Sequence, residues 1–370
     1  MRRKYILKLI SKGKHLFRAK KDIELLVSIV VPFYNSQNTL RDTVSSLLDQ
    51  TFSKNNYEVV LVDDGSLDES ISIVNDLIKK SEVSISIVSQ SSHKGCFSAR
   101  NSGIVASGGE IIAFIDADMT ADKNWLNNLV RPLLKDDKLG GVCGRVASDQ
   151  SRFLLFPLIV SQEGATEPSP CGPRFGSGNI AYRRSVLLSV GGFDENFDPK
   201  FRGDSDLGYR VLKAGFKIAY ESSAVAYHPI VNVSFTKLWK RSFLHQRDVL
   251  LYAKHGNMAK YSLGGVVSRP LIGPLSLLGL SFIMGTSILF LIYWKLGLSV
   301  CLELILFTAT AWIIFYITAG YRLYGASQVP ENKGISINMR IKASVLAPLA
   351  WLLTLFARIY GSIKYKRFFI

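Results

Sequence analysis

Between Val27 and about residue 232, short β-branched runs alternate with stretches whose apolar residues recur at helical spacing. Val27–Pro32 (VSIVVP), Tyr57–Asp63 (YEVVLVD), Ser84–Ser89 (SISIVS) and Glu110–Asp116 (EIIAFID) read as strands. Helical patterns fall near residues 38–49, 68–80, 96–107 and 122–135. This alternation predicts a parallel, doubly wound α/β sheet over residues 25–232, in which ligands bind beyond the carboxyl ends of the strands. Three of the four strand ends carry chemistry-bearing residues: Pro32–Asn35, Asp63–Asp64 and Asp116–Asp118.

Past this region the pattern changes. Residues 234–255 (SFTKLWKRSFLHQRDVLLYAKH) read as a basic amphipathic helix within a membrane-proximal segment, 233–262. It lies either against a membrane or in solvent as an ordinary charged helix face. Pro270 to Trp294 contains no charged residue. At about 1.5 Å rise per residue, that run crosses a hydrocarbon layer of roughly 30 Å. Leu296–Tyr321 is apolar except for Glu303, so residues 270–321 read as a transmembrane hairpin. Ala343–Ala357 is shorter and contains Pro348. Arg322, Lys333, Arg340 and Lys342 precede it and a basic tail follows, so both flanks favour the cytoplasmic side. Within residues 322–370 we therefore expect a re-entrant or interfacial helix and not a third span.

Composition sharpens this picture. At 48% hydrophobic residues, disorder is excluded. The net charge is +16 across 370 residues, and its distribution is uneven. Residues 1–21 hold nine Lys or Arg and no acid, and the last thirteen residues hold four more, so the middle is nearly neutral. A nucleic-acid binder spreads basic residues over a folded face, whereas terminal clusters beside apolar segments suit anionic membrane lipids. Residues 1–24 are thus expected to be a basic amphipathic or disordered arm, and they develop no apolar signal-peptide core. Cys96, Cys143, Cys171 and Cys301 lie far apart, so reduced, buried thiols are expected.

No G-x-G-x-x-G follows the first strand and no P-loop motif occurs, which disfavours dinucleotide dehydrogenases and P-loop NTPases. The strand ends offer carboxylates instead. Asp116 and Asp118, two apart after IIAFI, have the spacing at which hard oxygen ligands approach one divalent cation and a diphosphate.

VSIVVPFYN (27–35), VDDGS (62–66), ARNSG (99–103), FIDAD (114–118), GSGN (176–179), GGFDE (191–195) and DSDLGYR (204–210) occur in one order. Together they resemble the motif series of family-2 glycosyltransferases with the GT-A fold, over roughly residues 25–255. The resemblance implies a Rossmann-like mixed sheet and an inverting transfer of a sugar from a UDP- or GDP-sugar donor. It also implies a divalent metal, Mg2+ or Mn2+, held at Asp116 and Asp118 with His228 as a further ligand. The cation would stabilise charge on the departing diphosphate. Asp64 resembles the acceptor of a nucleobase hydrogen bond, Pro32 and Tyr34 match the groups flanking that base, and Asp63 matches a loop-holding residue. Lys94 and Arg100 match diphosphate contacts, although Arg100 also suits a structural ion pair. Asp204 matches the general base, Asp206 with Arg210 a supporting ion pair, and Gly178 with Asn179 either the acceptor side of the pocket or a tight turn.

Two departures from the family pattern matter. Gly203 stands where many relatives have glutamate before the base, which puts an acceptor contact in question. The Q-x-x-R-W signature of processive synthases is missing, although Trp239, Lys240, Arg241 and Gln246 lie nearby. A non-processive, membrane-attached enzyme acting at the cytoplasmic face on a lipid-linked or glycan acceptor is therefore expected. Two other readings compete. DADMT (116–120) fits the nucleophile signature of haloacid-dehalogenase-like phosphatases, although three strands precede it. The glycine at 203 also allows a non-catalytic sugar-nucleotide-binding partner protein.

Overall fold

A computed structural model describes residues 27–148, 175–197, 201–229, 243–256 and 356–366, with residues 240, 310 and 353 singly. The chain divides into two compact units, Met1–Gln150 with Ser161–Ile230, and Ser151–Val160 with Val231–Ile370.

In the first unit the strands are β1 (Val27–Phe33), β2 (Tyr57–Asp63), β3 (Ser84–Ser89), β4 (Ile111–Ile115), β5 (Thr120–Ala121), β6 (Leu139–Ser148), β7 (Asn179–Arg183) and β8 (Lys217–His228). The helices are α1 (Leu40–Leu48), α2 (Ser70–Lys80), α3 (Cys96–Ala106), α4 (Trp125–Lys135), α5 (Arg184–Val190) and α6 (Gly203–Lys213). One eight-stranded sheet runs in the order β3-β2-β1-β4-β7-β6-β8-β5. The expected parallel arrangement holds over β3-β2-β1-β4. It stops at β7, which lies antiparallel between β4 and β6 and makes the sheet mixed. β6 and β8 then pair in parallel, with register shifts on either side of residues 141–144.

Every residue of β1 and β4 is buried, as expected for strands covered on both faces. The apolar positions of α4, Trp125, Leu126, Leu129, Val130 and Leu133, recur at helical spacing and all enter the core. Cys96 and Cys143 are buried, reduced thiols, as expected, and burial pushes the Cys143 thiol's pKa up. Cys171 and Cys301 lie outside the described residues.

The second unit contributes a 3-10 turn (Leu244–Arg247) running into α7 (Asp248–His255), and a helical segment at residues 356–364. Of the expected helix over 234–255, residues 243–255 are described and helical, and residues 234–242 other than 240 lie outside the described residues. Asp248 is fully buried; Arg358 donates to its Oδ2 from Nε at 2.9 Å, and His245 Nδ1 lies 2.9 Å from the same oxygen. A carboxylate without accessible surface requires such partners, so α7 and 356–364 are fastened through one buried ion pair. Among the described residues no helix is long and apolar enough to cross a membrane. The hairpin 270–321 except for residue 310, the segment 343–357 up to residue 355 except for residue 353, and the arm 1–24 lie outside the described residues.

Candidate active site

The acidic loop after β4 is built before any ligand is considered. Ala117's carbonyl accepts hydrogen bonds from Thr39 Oγ1 at 2.8 Å and Thr43 Oγ1 at 2.9 Å. The Met119 N–H closes a turn onto Asp116's carbonyl at 3.1 Å. β5 then pairs antiparallel with β8, Thr120 opposite Tyr227, which carries Asp118 back beside His228. His228 Nε2 lies 3.6 Å from Asp118 Oδ2, too far for a hydrogen bond. Its Nδ1 is 2.7 Å from Pro229's carbonyl oxygen. Donation from Nδ1 fixes the tautomer whose Nε2 lone pair faces Asp118, the arrangement found behind metal-ligating histidines. Asp118 and His228 therefore fit a divalent cation chemically. Among the described residues no cluster of three or more potential metal ligands converges, so the protein offers this pair, with Asp116 nearby in sequence.

Asp116 is directed differently. Arg100, almost fully buried on α3, donates from a guanidinium nitrogen to Asp116 Oδ1. Gly178 lies against the other oxygen: a Cβ at position 178 would come within 3.0 Å of Asp116 Oδ2 and of Met119 Sδ. Arg100 is thus engaged by a carboxylate and enclosed by the Phe97 and Phe193 rings, and the structural ion pair is the arrangement observed. Nearby Asp116 raises the Arg100 pKa despite the opposing effect of burial.

Asp204 sits in the first turn of α6. It accepts the Ser205 N–H at 2.7 Å and is also reached by the Ser177 N–H. Burial is the largest influence on its carboxyl and raises the pKa above the ordinary value; the backbone donors and the Arg202 and Arg100 guanidiniums oppose it. Arg202, which caps α6, has φ +72, a left-handed conformation rare outside glycine. Residues 177–178 thus bridge the site, Ser177 touching Asp204 and Gly178 touching Asp116. Asp206, fully buried, binds Arg210 Nε at 2.8 Å, and Arg210 also donates to Val190's carbonyl, which matches the expected supporting pair.

The missing glutamate at 203 has a steric reason. A Cβ on Gly203 would lie 2.5–2.9 Å from three ring atoms of Phe97, itself stacked on Phe193 at 5.5 Å. No side chain fits there without moving the ring.

Asn179 is not available to an acceptor. It is fully buried, accepts from Trp125 Nε1 at 2.8 Å, and donates to the carbonyls of Arg145 at 2.7 Å and Ala224 at 2.9 Å. Its amide ties β7 to β6 and β8.

At the other end of the sheet, Asp63 holds its turn as expected, accepting the Ser66 N–H at 2.8 Å. Gly65, at φ +79, lies so close to Ser92 and His93 backbone that a Cβ would come within 2.9 Å. Asp64 is buried and accepts the N–H groups of Lys94 at 2.8 Å and Gly95 at 2.9 Å. Pro32 is buried in β1, while Tyr34 and the Lys94 side chain are exposed. His93, in the loop before α3, is a site residue that the motif series does not mark: its ring stacks on Tyr34 with centroids 4.0 Å apart, and its Nδ1 lies 2.8 Å from Asp64 Oδ2. No periodicity marks such a residue; only its place beside the strand ends could have flagged it.

A mixed sheet with carboxylates gathered at the ends of its parallel strands defines the class: a GT-A-type transferase domain. Residues 28–188 match the family described as "Glycosyl transferase family 2". "Probable glycosyltransferase YdaM" of Bacillus subtilis (strain 168) is 29% identical over 213 residues, covering 54% of this chain and 50% of its own. The chain therefore spans about half the length of that relative. A solved structure of the mannosyltransferase PcManGT from Pyrobaculum calidifontis, in complex with GDP-Man and Mn2+, superposes with a TM-score of 0.57 at 17% identity, covering 92% of this chain and 94% of that one. S. aureus TarS 1-349 in complex with UDP-GlcNAc gives 0.50 at 16% identity, covering 93% of each chain. These two likenesses establish the fold. The family match also overturns the phosphatase reading: Asp116 follows the fourth strand, and Arg100 engages its carboxylate.

Proposed function

We propose that this chain is an inverting, cation-dependent glycosyltransferase. It moves one sugar from a UDP- or GDP-sugar to a hydroxyl of a lipid-linked or glycan acceptor at the cytoplasmic face of a membrane. The observation that carries this reading is the bridge at residues 177–178, which joins Asp204, whose carboxyl has a raised pKa, to the Asp116–Arg100 pair. An inverting displacement requires a base on one side of the sugar and charge stabilisation on the other.

Asp204 takes the proton from the acceptor hydroxyl as its oxygen bonds to the anomeric carbon. The bond from that carbon to the diphosphate oxygen breaks, and its electron pair leaves with the nucleoside diphosphate. A raised pKa brings the base closer to neutral pH, where proton transfer is most effective. Asp118 and His228 would hold a Mg2+ or Mn2+ ion, which neutralises charge on the leaving diphosphate. Arg100 fixes Asp116's carboxylate and Gly178 keeps space beside it, so Asp116 presents one defined face to the donor.

The solved complexes of similar fold hold GDP-Man with Mn2+ or UDP-GlcNAc, which supports a nucleotide-sugar donor and a cation. The apolar run of residues 270–294 and the basic flanks support attachment to a membrane. Incubating membranes that carry the protein with labelled nucleotide-sugars should give a labelled lipid or glycan. That product should disappear with Asp204→Asn and with chelation. Undiminished transfer by Asp204→Asn would remove this aspartate as the base.

A further inference from the structure

We infer that His93 is a built-in occupant of the nucleobase site, holding Tyr34 and Asp64 in the donor-free protein and leaving when the nucleotide enters. This rests on the reading above, in which Asp64 receives the base's hydrogen bond and Tyr34 flanks its ring.

The argument is one of capacity. A carboxylate has about four acceptor positions. On Asp64, Lys94 N–H takes Oδ1 at 2.8 Å, Gly95 N–H takes Oδ2 at 2.9 Å, and His93 Nδ1 lies 2.8 Å from Oδ2. Gln90 supplies the fourth: with its amide nitrogen turned toward Asp64 it donates to Oδ1 at 3.1 Å, while its oxygen accepts from Ala99 N at 3.2 Å and Ser102 Oγ at 3.3 Å. The carboxylate is full, so an incoming base N–H has to displace a donor. Two of the four are backbone groups that open α3, and Gln90 is tied into that helix. His93 is the one that can leave. Its side chain is 53% exposed against 3% for Asp64. Lys94 and Gly95 stay fastened on its C-terminal side, so departure needs only side-chain rotation.

The second contact points the same way. His93 covers Tyr34 in a stack at 4.0 Å and 26°. A flat, nitrogen-bearing ring that stacks on this tyrosine and donates to this aspartate does what a pyrimidine or purine would do in the same place. Donor affinity is therefore lowered by competition within the chain, and phosphate recognition is left untouched.

The test uses the full-length protein with Mn2+ and measures dissociation constants for UDP, GDP and pyrophosphate. His93→Ala should tighten whichever nucleoside diphosphate the wild type binds by about five- to thirty-fold, the equivalent of one stack and one charge-assisted hydrogen bond. It should leave pyrophosphate binding unchanged. In the wild type, ring-current-shifted imidazole signals, identified by their loss in His93→Ala, should move to unshifted positions as nucleotide is added. Weaker nucleotide binding by His93→Ala, or unmoved imidazole signals at saturation, would overturn the inference and make His93 an ordinary base contact. The base-site reading fails separately if Asp64→Asn lowers nucleotide and pyrophosphate affinity equally.

Discussion

Gly203→Ala isolates the tightest packing beside the proposed base. The added Cβ would meet Phe97 Cε2, Cζ and Cδ2 at 2.5, 2.6 and 2.9 Å. These atoms belong to a buried ring stacked on Phe193, so the ring cannot swing away freely. Overpacking of this kind costs about 1–3 kcal/mol. Replacing a helical glycine by alanine returns roughly 0.5–1 kcal/mol, and less at the first residue of a helix, where Gly203 sits. The net is a destabilisation of about 1–2 kcal/mol, which for a domain of this size lowers Tm by roughly 2–8 °C. Because Asp204 is the next residue, relief of the clash displaces the carboxylate, and a shift near 1 Å can cost about 10²-fold in rate. Scanning calorimetry and initial rates on Gly203→Ala, Phe97→Leu and the double variant give a mutant cycle. The double variant should lose less than the sum of the singles. A Gly203→Ala protein that melts at or above wild type with unchanged kcat would refute the steric account of this position.

Asp204→Asn should lower kcat by roughly 10²–10⁴-fold. Its effect on stability has the opposite sign. The folded protein holds the Asp204 proton more tightly than the unfolded chain, so that contribution is complete below the unfolded carboxylate pKa of about 4 and is lost as pH rises through the raised folded value. The asparagine variant should therefore gain Tm over wild type at neutral pH, and the gain should shrink on acidification. Asp118→Asn and His228→Ala should each abolish the rise in Tm that Mn2+ gives the wild-type protein, with little change in Tm when the cation is omitted. Arg358→Met leaves the buried Asp248 without its main counter-charge, a loss of about 3–5 kcal/mol. Amide exchange at Val249–Leu251 should accelerate by more than about 100-fold.

How far the sequence foretold the structure followed from how local each feature is. β2 and β3 begin and end where the β-branched runs do, and the carboxylates at the ends of β2 and β4 stand where a doubly wound sheet puts ligand-facing groups. β7 was not legible as an antiparallel strand between β4 and β6, because that pairing joins residues about seventy apart with no mark in either segment. Arg100 and Asn179 show a second limit. Both are polar residues in motifs, and only burial distinguishes a group that meets ligand from one that meets its own protein. The Asp248–Arg358 pair shows a third, since nothing in a basic stretch names the one acid 110 residues away that it neutralises.

The most direct test of the proposed chemistry is the anomeric configuration of the product. With a nucleotide-sugar donor of known anomeric configuration, NMR of the first-formed glycoside should show the opposite configuration, as one displacement assisted by Asp204 requires. A product that retains the donor's configuration would contradict it.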